Sequence, residues 1–89
     1  MPLVTTNEML KKAQAGHYAV GAFNVENMEM VMAVIKAAEE MNSPVIMQTT
    51  PSTVKYAGLD YYLAMVRTAA ERASVPVAIH LDHGSSFEL

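Results

Sequence analysis

The side chains able to do acid–base or metal chemistry are concentrated in one stretch, His80-Leu81-Asp82-His83-Gly84. Imidazoles and carboxylates exchange protons near neutral pH and ligate zinc. The stretch is preceded by Val75-Pro76-Val77-Ala78-Ile79, an apolar run bounded by a proline that reads as a buried strand. Side chains alternate along a strand, so His80 and Asp82 share a side while Leu81 points away. His83 would fall opposite Asp82 if the strand continued. Gly84 permits a sharp change of direction, which would swing His83 over the top of the sheet beside Asp82, where a metal could sit. A single histidine near a strand end is usually structural, whereas the whole cluster divides evenly between a structural and a chemical reading. One strand cannot complete a metal site, so further ligands must come from elsewhere.

Upstream candidates are plainer. Asn24 reads equally as a cap for the following helix and as a substrate contact. Thr49, Thr50, Ser52 and Thr53 read as turn formers, and His17 as a surface residue at a helix–strand junction.

The elements that position the cluster follow from periodicity. Thr5-Thr6-Asn7-Glu8 fits a capping box, and a first helix is expected from about Thr6 to Ala15, with Gly16 as its left-handed terminating residue. Tyr18 to Asn24 reads as a first strand. Asn27 to Met41 reads as a helix with Met28, Val31, Ile35, Ala38 and Met41 on its buried face. Val45 to Thr49 reads as a second strand, and Thr50 to Gly58 as a loop. A third helix carries Leu59, Leu63, Val66, Ala70 and Ala73 inward, and Val75 to Asp82 is the third strand. This rhythm predicts right-handed βαβ units and a parallel sheet, hence an α/β fold.

Two architectures share the rhythm. A dinucleotide-binding sheet needs a glycine-rich turn after its first strand, and Gly21-Ala22-Phe23-Asn24-Val25-Glu26 lacks one. A (β/α)8 TIM barrel places its chemistry at the carboxyl ends of its strands, where this sequence has Asn24, then Gln48 with Thr49 and Thr50, then Asp82 with His83. The polar strand ends favour the barrel. Since a barrel takes about 250 residues, residues 1–89 are expected to be the amino-terminal part of one barrel domain: a helix plus the first three βα units. Ser85-Ser86-Phe87-Glu88 resembles a further capping box, which reads as the start of a fourth helix and marks the chain as a fragment.

Composition narrows the function classes. Six basic and nine acidic residues give a net charge of −3, and no basic patch interleaved with aromatics offers a nucleic-acid surface. No apolar run approaches the length of a membrane span, and the amino terminus lacks the features of a secretory signal. A cytoplasmic protein is expected. Without cysteine, disulfides and thiolate metal sites are excluded. Hydrophobic residues make up 52% and charged residues 17%. That balance implies surface meant to be covered by other protein.

Val75 to Gly84 closely resembles the signature of the class II, metal-dependent fructose-bisphosphate and tagatose-bisphosphate aldolases. Met1-Pro2-Leu3-Val4, Tyr18 to Asn24, Ala37-Ala38-Glu39-Glu40 and Ser43-Pro44-Val45-Ile46 match in the same order and spacing. The resemblance implies a carbon–carbon lyase of carbohydrate metabolism. It would cleave a phosphorylated ketose 1,6-bisphosphate reversibly to dihydroxyacetone phosphate and glyceraldehyde 3-phosphate through a zinc-stabilised enediolate. It implies His83 as one ligand of a catalytic Zn2+, Asp82 as the acid–base residue at the C4 hydroxyl, Asn24 and Thr50 as substrate-binding residues, and His80 as support behind the ligands. It implies a homo-oligomer, dimer or tetramer, for the whole enzyme. Gly84 resembles the fructose-bisphosphate enzymes, whereas Thr50-Pro51-Ser52-Thr53 with Lys55-Tyr56-Ala57 resembles the tagatose-bisphosphate branch. The alternative is an inactive α/β fragment that persists by association with itself or with the rest of the barrel.

Overall fold

The computed structural model describes residues 2–84. The elements run α1 (Thr6–Gly16), β1 (Gly21–Asn24), α2 (Met28–Glu40), β2 (Val45–Thr49), α3 (Pro51–Ala57), α4 (Leu59–Arg72) and β3 (Val77–Leu81). The three strands form one parallel sheet in the order β1-β2-β3. The expected capping box at residues 85–88 lies outside the described residues.

Most boundaries follow from local chemistry. Thr5 stays extended and its hydroxyl accepts from the Glu8 N–H at 3.3 Å, which starts α1. The left-handed residue that ends α1 is His17 (φ 60°) rather than the expected Gly16, and the Tyr18 N–H closes the turn onto the Ala13 carbonyl at 3.0 Å. Gly16 has another role: a Cβ there would lie 2.8 Å from the Tyr18 ring, so the glycine makes room for the aromatic. Asn27 caps α2 through its side-chain oxygen, which accepts from the Met30 N–H at 2.9 Å. Asn42, also left-handed (φ 49°), turns the chain after α2.

The sheet has two unlike faces. On one, Val45, Met47 and Val77 pack against Val31 and Ala38 of α2 and Tyr62, Val66 and Ala70 of α4 to form the main core. On the other, Ile46 and Ala78 pack with Met9 of α1, joined by Val4 and Val20. The Val4 N–H donates to the Val77 carbonyl at 2.9 Å, which ties the leading segment to the start of β3. Thus α1 lies across the face that the outer helices leave bare.

Three expectations change. Residues 51–57 are helical, because Pro51 at the first helical position has its backbone angle already set for a helix and its missing N–H would have gone unpaired there anyway. Met28 and Met41 are exposed; the face of α2 that meets the sheet is narrower, centred on Val31 and Ala38. In α4 the buried seam is Tyr62, Val66 and Ala70, continued by Ala73 just after the helix, while Leu59 sits exposed in the first turn beside Gly58.

Tyr62 is 1% exposed, and its hydroxyl has no hydrogen-bond partner among the described residues. It borders a cavity of about 260 Å³ with Thr49, Leu59, Leu63, Ile79, His80 and Leu81, a mostly apolar lining. Burial pushes its phenol up to about 12. The folded protein therefore keeps Tyr62 protonated at a pH where the unfolded chain, titrating near the ordinary value of about 10, has begun to ionise. Its contribution to stability is full below pH 10 and is lost as pH rises towards 12. The loss expected is on the order of 2–3 kcal/mol. Tyr62→Phe removes an unpaired buried hydroxyl at little change in shape. Urea unfolding should show it to be as stable as the parent or more so at pH 7, with a shallower loss of stability above pH 10. Asn27→Ala, by contrast, should cost about 1 kcal/mol at neutral pH in the same measurement, because it removes the cap of α2.

Candidate active site

Parallel register brings the polar strand ends together. Asn24 lies beside Gln48, and Gln48 beside His80. Alternation puts all three on the face that carries Ile46 and Ala78, opposite α2 and α4. The Gln48 amide donates to the Asn24 side-chain oxygen at 2.8 Å, so Asn24 does not cap α2; Asn27 does. Beyond the ladder, the Asp82 N–H donates to the Thr49 carbonyl at 2.7 Å and the Val25 N–H to the Gln48 carbonyl at 3.0 Å. These bonds hold the loops after β1 and β3 against the end of β2.

Asp82 is the hub of the cluster. One carboxylate oxygen lies 3.9 Å from His80 Nε2 and the other 3.5 Å from His83 Nε2. The expected sharing of a side by His80 and Asp82 is present, and His83 does swing beside Asp82. The turn is made differently from expectation: His83 itself takes the left-handed conformation (φ 57°), and Gly84 does not. A left-handed backbone at a non-glycine residue is disfavoured by roughly 1–2 kcal/mol. The Asp82 carboxylate offsets part of this by accepting from the His83 N–H at 3.1 Å. The side chain of His83 is 79% exposed, so its imidazole projects from the end of the sheet with room for other ligands.

Thr50 stands at the carboxyl end of β2 as the residue before α3, and its hydroxyl is paired with Ser52 Oγ at 2.9 Å. No hydrogen bond joins it to the histidine cluster. Thr53, 3% exposed, donates to the Glu26 carboxylate at 3.3 Å and so fastens α3 to the loop after β1. Sequence reasoning noted the polar end of β2 but missed Gln48 as the link between Asn24 and the histidine strand. It also missed α3, for which Thr50-Pro51 was the available signal.

Imidazole and carboxylate are suitable donors for zinc, and His83 is open to it. Among the described residues, however, no three histidine, cysteine or acidic side chains converge on one point where a metal ion could be held. The chemistry present is therefore that of one carboxylate flanked by two imidazoles, above a row of amides. No helix among the described residues is long and apolar enough to cross a membrane.

The profile of the family described as "Fructose-bisphosphate aldolase class-II" matches residues 4–89. Over 97% of its length the chain is 54% identical to a fructose-bisphosphate aldolase of Thermus caldophilus and 49% identical to one of Helicobacter pylori. It covers 28% of each, so the chain spans under a third of these curated relatives. The crystal structure of the YdjI aldolase from Escherichia coli K12 superimposes with a TM-score of 0.88 at 41% identity, covering 97% of this chain and 34% of that one. A fructose-bisphosphate aldolase from Campylobacter jejuni superimposes with a TM-score of 0.82 at 30% identity, over 93% of this chain and 29% of that one. Parallel βα units bearing a histidine–aspartate cluster at their carboxyl end, together with this continuous similarity, place the chain in the class II fructose-bisphosphate aldolase family.

Proposed function

We propose that residues 1–89 are the amino-terminal part of a single barrel domain whose whole protein cleaves a ketose 1,6-bisphosphate reversibly. The observation that supports this reading best is Asp82 held between two imidazoles at the carboxyl end of β3, in a chain of this family. Fructose 1,6-bisphosphate is the substrate named for the relatives and is the one proposed here. Tagatose 1,6-bisphosphate differs at one hydroxyl stereocentre, and testing both sugars decides between them.

Cleavage requires the C4 hydroxyl to lose its proton as the C3–C4 bond breaks. The electron pair of the O–H bond becomes part of the new aldehyde, and that of the C3–C4 bond moves towards the C2 carbonyl, leaving an enediolate that takes up a proton at C3 to become dihydroxyacetone phosphate. Asp82 takes the proton, a task for which a carboxylate needs only hydrogen-bond reach of the hydroxyl. His80 stands 3.9 Å from one oxygen of the same carboxylate, within ion-pair range but not hydrogen-bonded to it. Asn24, fixed by Gln48, and Thr50 bind the hydroxyls of the extended sugar. His83 is the residue that would ligate zinc, which when bound draws electron density from the substrate carbonyl. Its remaining ligands come from outside this chain.

Asp82→Asn in the whole protein should lower kcat about 10²- to 10⁴-fold with a much smaller change in KM, read as dihydroxyacetone phosphate released. Unchanged kcat would remove Asp82 from the reaction. His83→Gly separates fold from chemistry. It relieves the left-handed backbone, so stability should hold or rise by up to about 1 kcal/mol. Metal content by elemental analysis should nevertheless fall with activity. A second reading concerns the 89-residue chain by itself, in which no three histidine, cysteine or acidic donors converge among the described residues. The isolated chain should bind zinc no more tightly than micromolar in calorimetric titration and show no cleavage; tighter binding or measurable turnover would defeat it.

A further inference from the structure

The helix α3 follows directly on Thr50, one of the residues that bind the sugar in the reading above, yet little of it is seated in the fold. Of its seven residues, Thr53 is the one that is buried. The Thr50 side chain does not cap its first turn, and the hydroxyl pairs instead with Ser52 Oγ within the same segment. At the far end Gly58 joins α3 to α4 with φ at 90°, a conformation that glycine adopts freely.

The loop after β1 is held far more firmly. Asn24 is bonded to Gln48 at 2.8 Å, and Val25 is fully buried with its N–H on the Gln48 carbonyl at 3.0 Å. On the other side Asn27 caps α2. Glu26 thus stands between two anchored neighbours. The Thr53 hydroxyl donates to its carboxylate at 3.3 Å, and this bond ties the lightly seated helix to the fixed loop.

We propose that Glu26 and Thr53 are positioning residues for substrate binding, their bond setting the separation between Asn24 and Thr50. The proposal rests on the roles given above to Asn24 and Thr50. Glu26 is two residues from Asn24, and Thr53 is about one helical turn from Thr50, so a shift at the bond moves Thr50 against Asn24. Groups that must meet one ligand together bind it better when their spacing is fixed beforehand, and the residue that fixes it need not touch the ligand. Without the bond, α3 takes other tilts and the sugar has to order it on binding. That cost falls on KM, because the same spacing serves the bound substrate and the transition state alike. The oxygen–oxygen distance exceeds the roughly 2.5–3.0 Å usual for a hydroxyl donor, so the expected effect is severalfold rather than a hundredfold.

The test uses the whole polypeptide that carries this chain, with fructose 1,6-bisphosphate as substrate. Thr53→Val keeps the buried shape and removes the hydroxyl. Glu26→Ala removes the acceptor from an exposed position and leaves the core untouched. Each should raise KM about three- to tenfold and leave kcat within about twofold of the parent. Thr53→Ser and Glu26→Gln keep a donor and an acceptor, and each should stay within about twofold of the parent in both constants. The double variant Thr53→Val/Glu26→Ala should be no worse than either single change, since both act through one bond. In Thr53→Val, amide hydrogen exchange should quicken across residues 51–57 and stay as in the parent across residues 28–40. A lowered unfolding midpoint with unchanged KM would mark a purely structural pair and overturn the proposal. So would KM effects that multiply in the double variant, or unaltered exchange in α3. A parent that cleaves neither fructose nor tagatose 1,6-bisphosphate would defeat the reading of the reaction instead, and the exchange comparison would then decide by itself whether the bond positions α3.

Discussion

The in-register parallel ladder is the constraint on which the rest of this structure depends. Because side chains alternate and the three strands are aligned residue for residue, one choice of register decides two things at once. It sends Val45, Met47 and Val77 into the core beneath α2 and α4, and it lines up Asn24, Gln48 and His80 on the opposite face. A slip of one residue in β2 would bury Gln48 under the helices and break its bond to Asn24. The apolar core thus enforces the order of the polar row, and the N–H of Val25, a residue of that core, bonds the Gln48 carbonyl directly.

At the end of that row the chain departs from the regular pattern. His83 adopts a backbone conformation that most residues avoid, and Asp82 holds it there with one oxygen while meeting both imidazoles. Strain of this kind persists only where neighbours over-determine the geometry. The bond from the Asp82 N–H to the Thr49 carbonyl supplies the anchor, so the turn is fastened to the best-paired strand of the sheet.

Much of this was legible in the residues alone. The three strands, the two long helices and the sharing of one side by His80 and Asp82 follow from period and composition. What escaped depends on tertiary detail. Gly84 drew attention as the turning residue because glycine tolerates left-handed angles, yet an aspartate acceptor one position earlier let His83 take that role. Likewise Gly16 serves the Tyr18 ring rather than the helix end. Met28 and Met41 carry the right period for burial in α2, but burial is decided by where the sheet lies, and the two fall beyond its width. Residues 51–57 lack helical periodicity over a useful length, so only Thr50-Pro51 betrayed α3.

The position of α1 has its own consequence. Met9 seats on Ile46 and Ala78 near the starts of β2 and β3, and Val4 is bonded to the first residue of β3. This end of the inner face is stoppered by hydrocarbon. Beyond that plug the row is open: Asn24 and His80 are exposed and Gln48 is half-buried. Shaving Met9 to a smaller side chain would thin that plug and loosen the seat of α1 on the inner face.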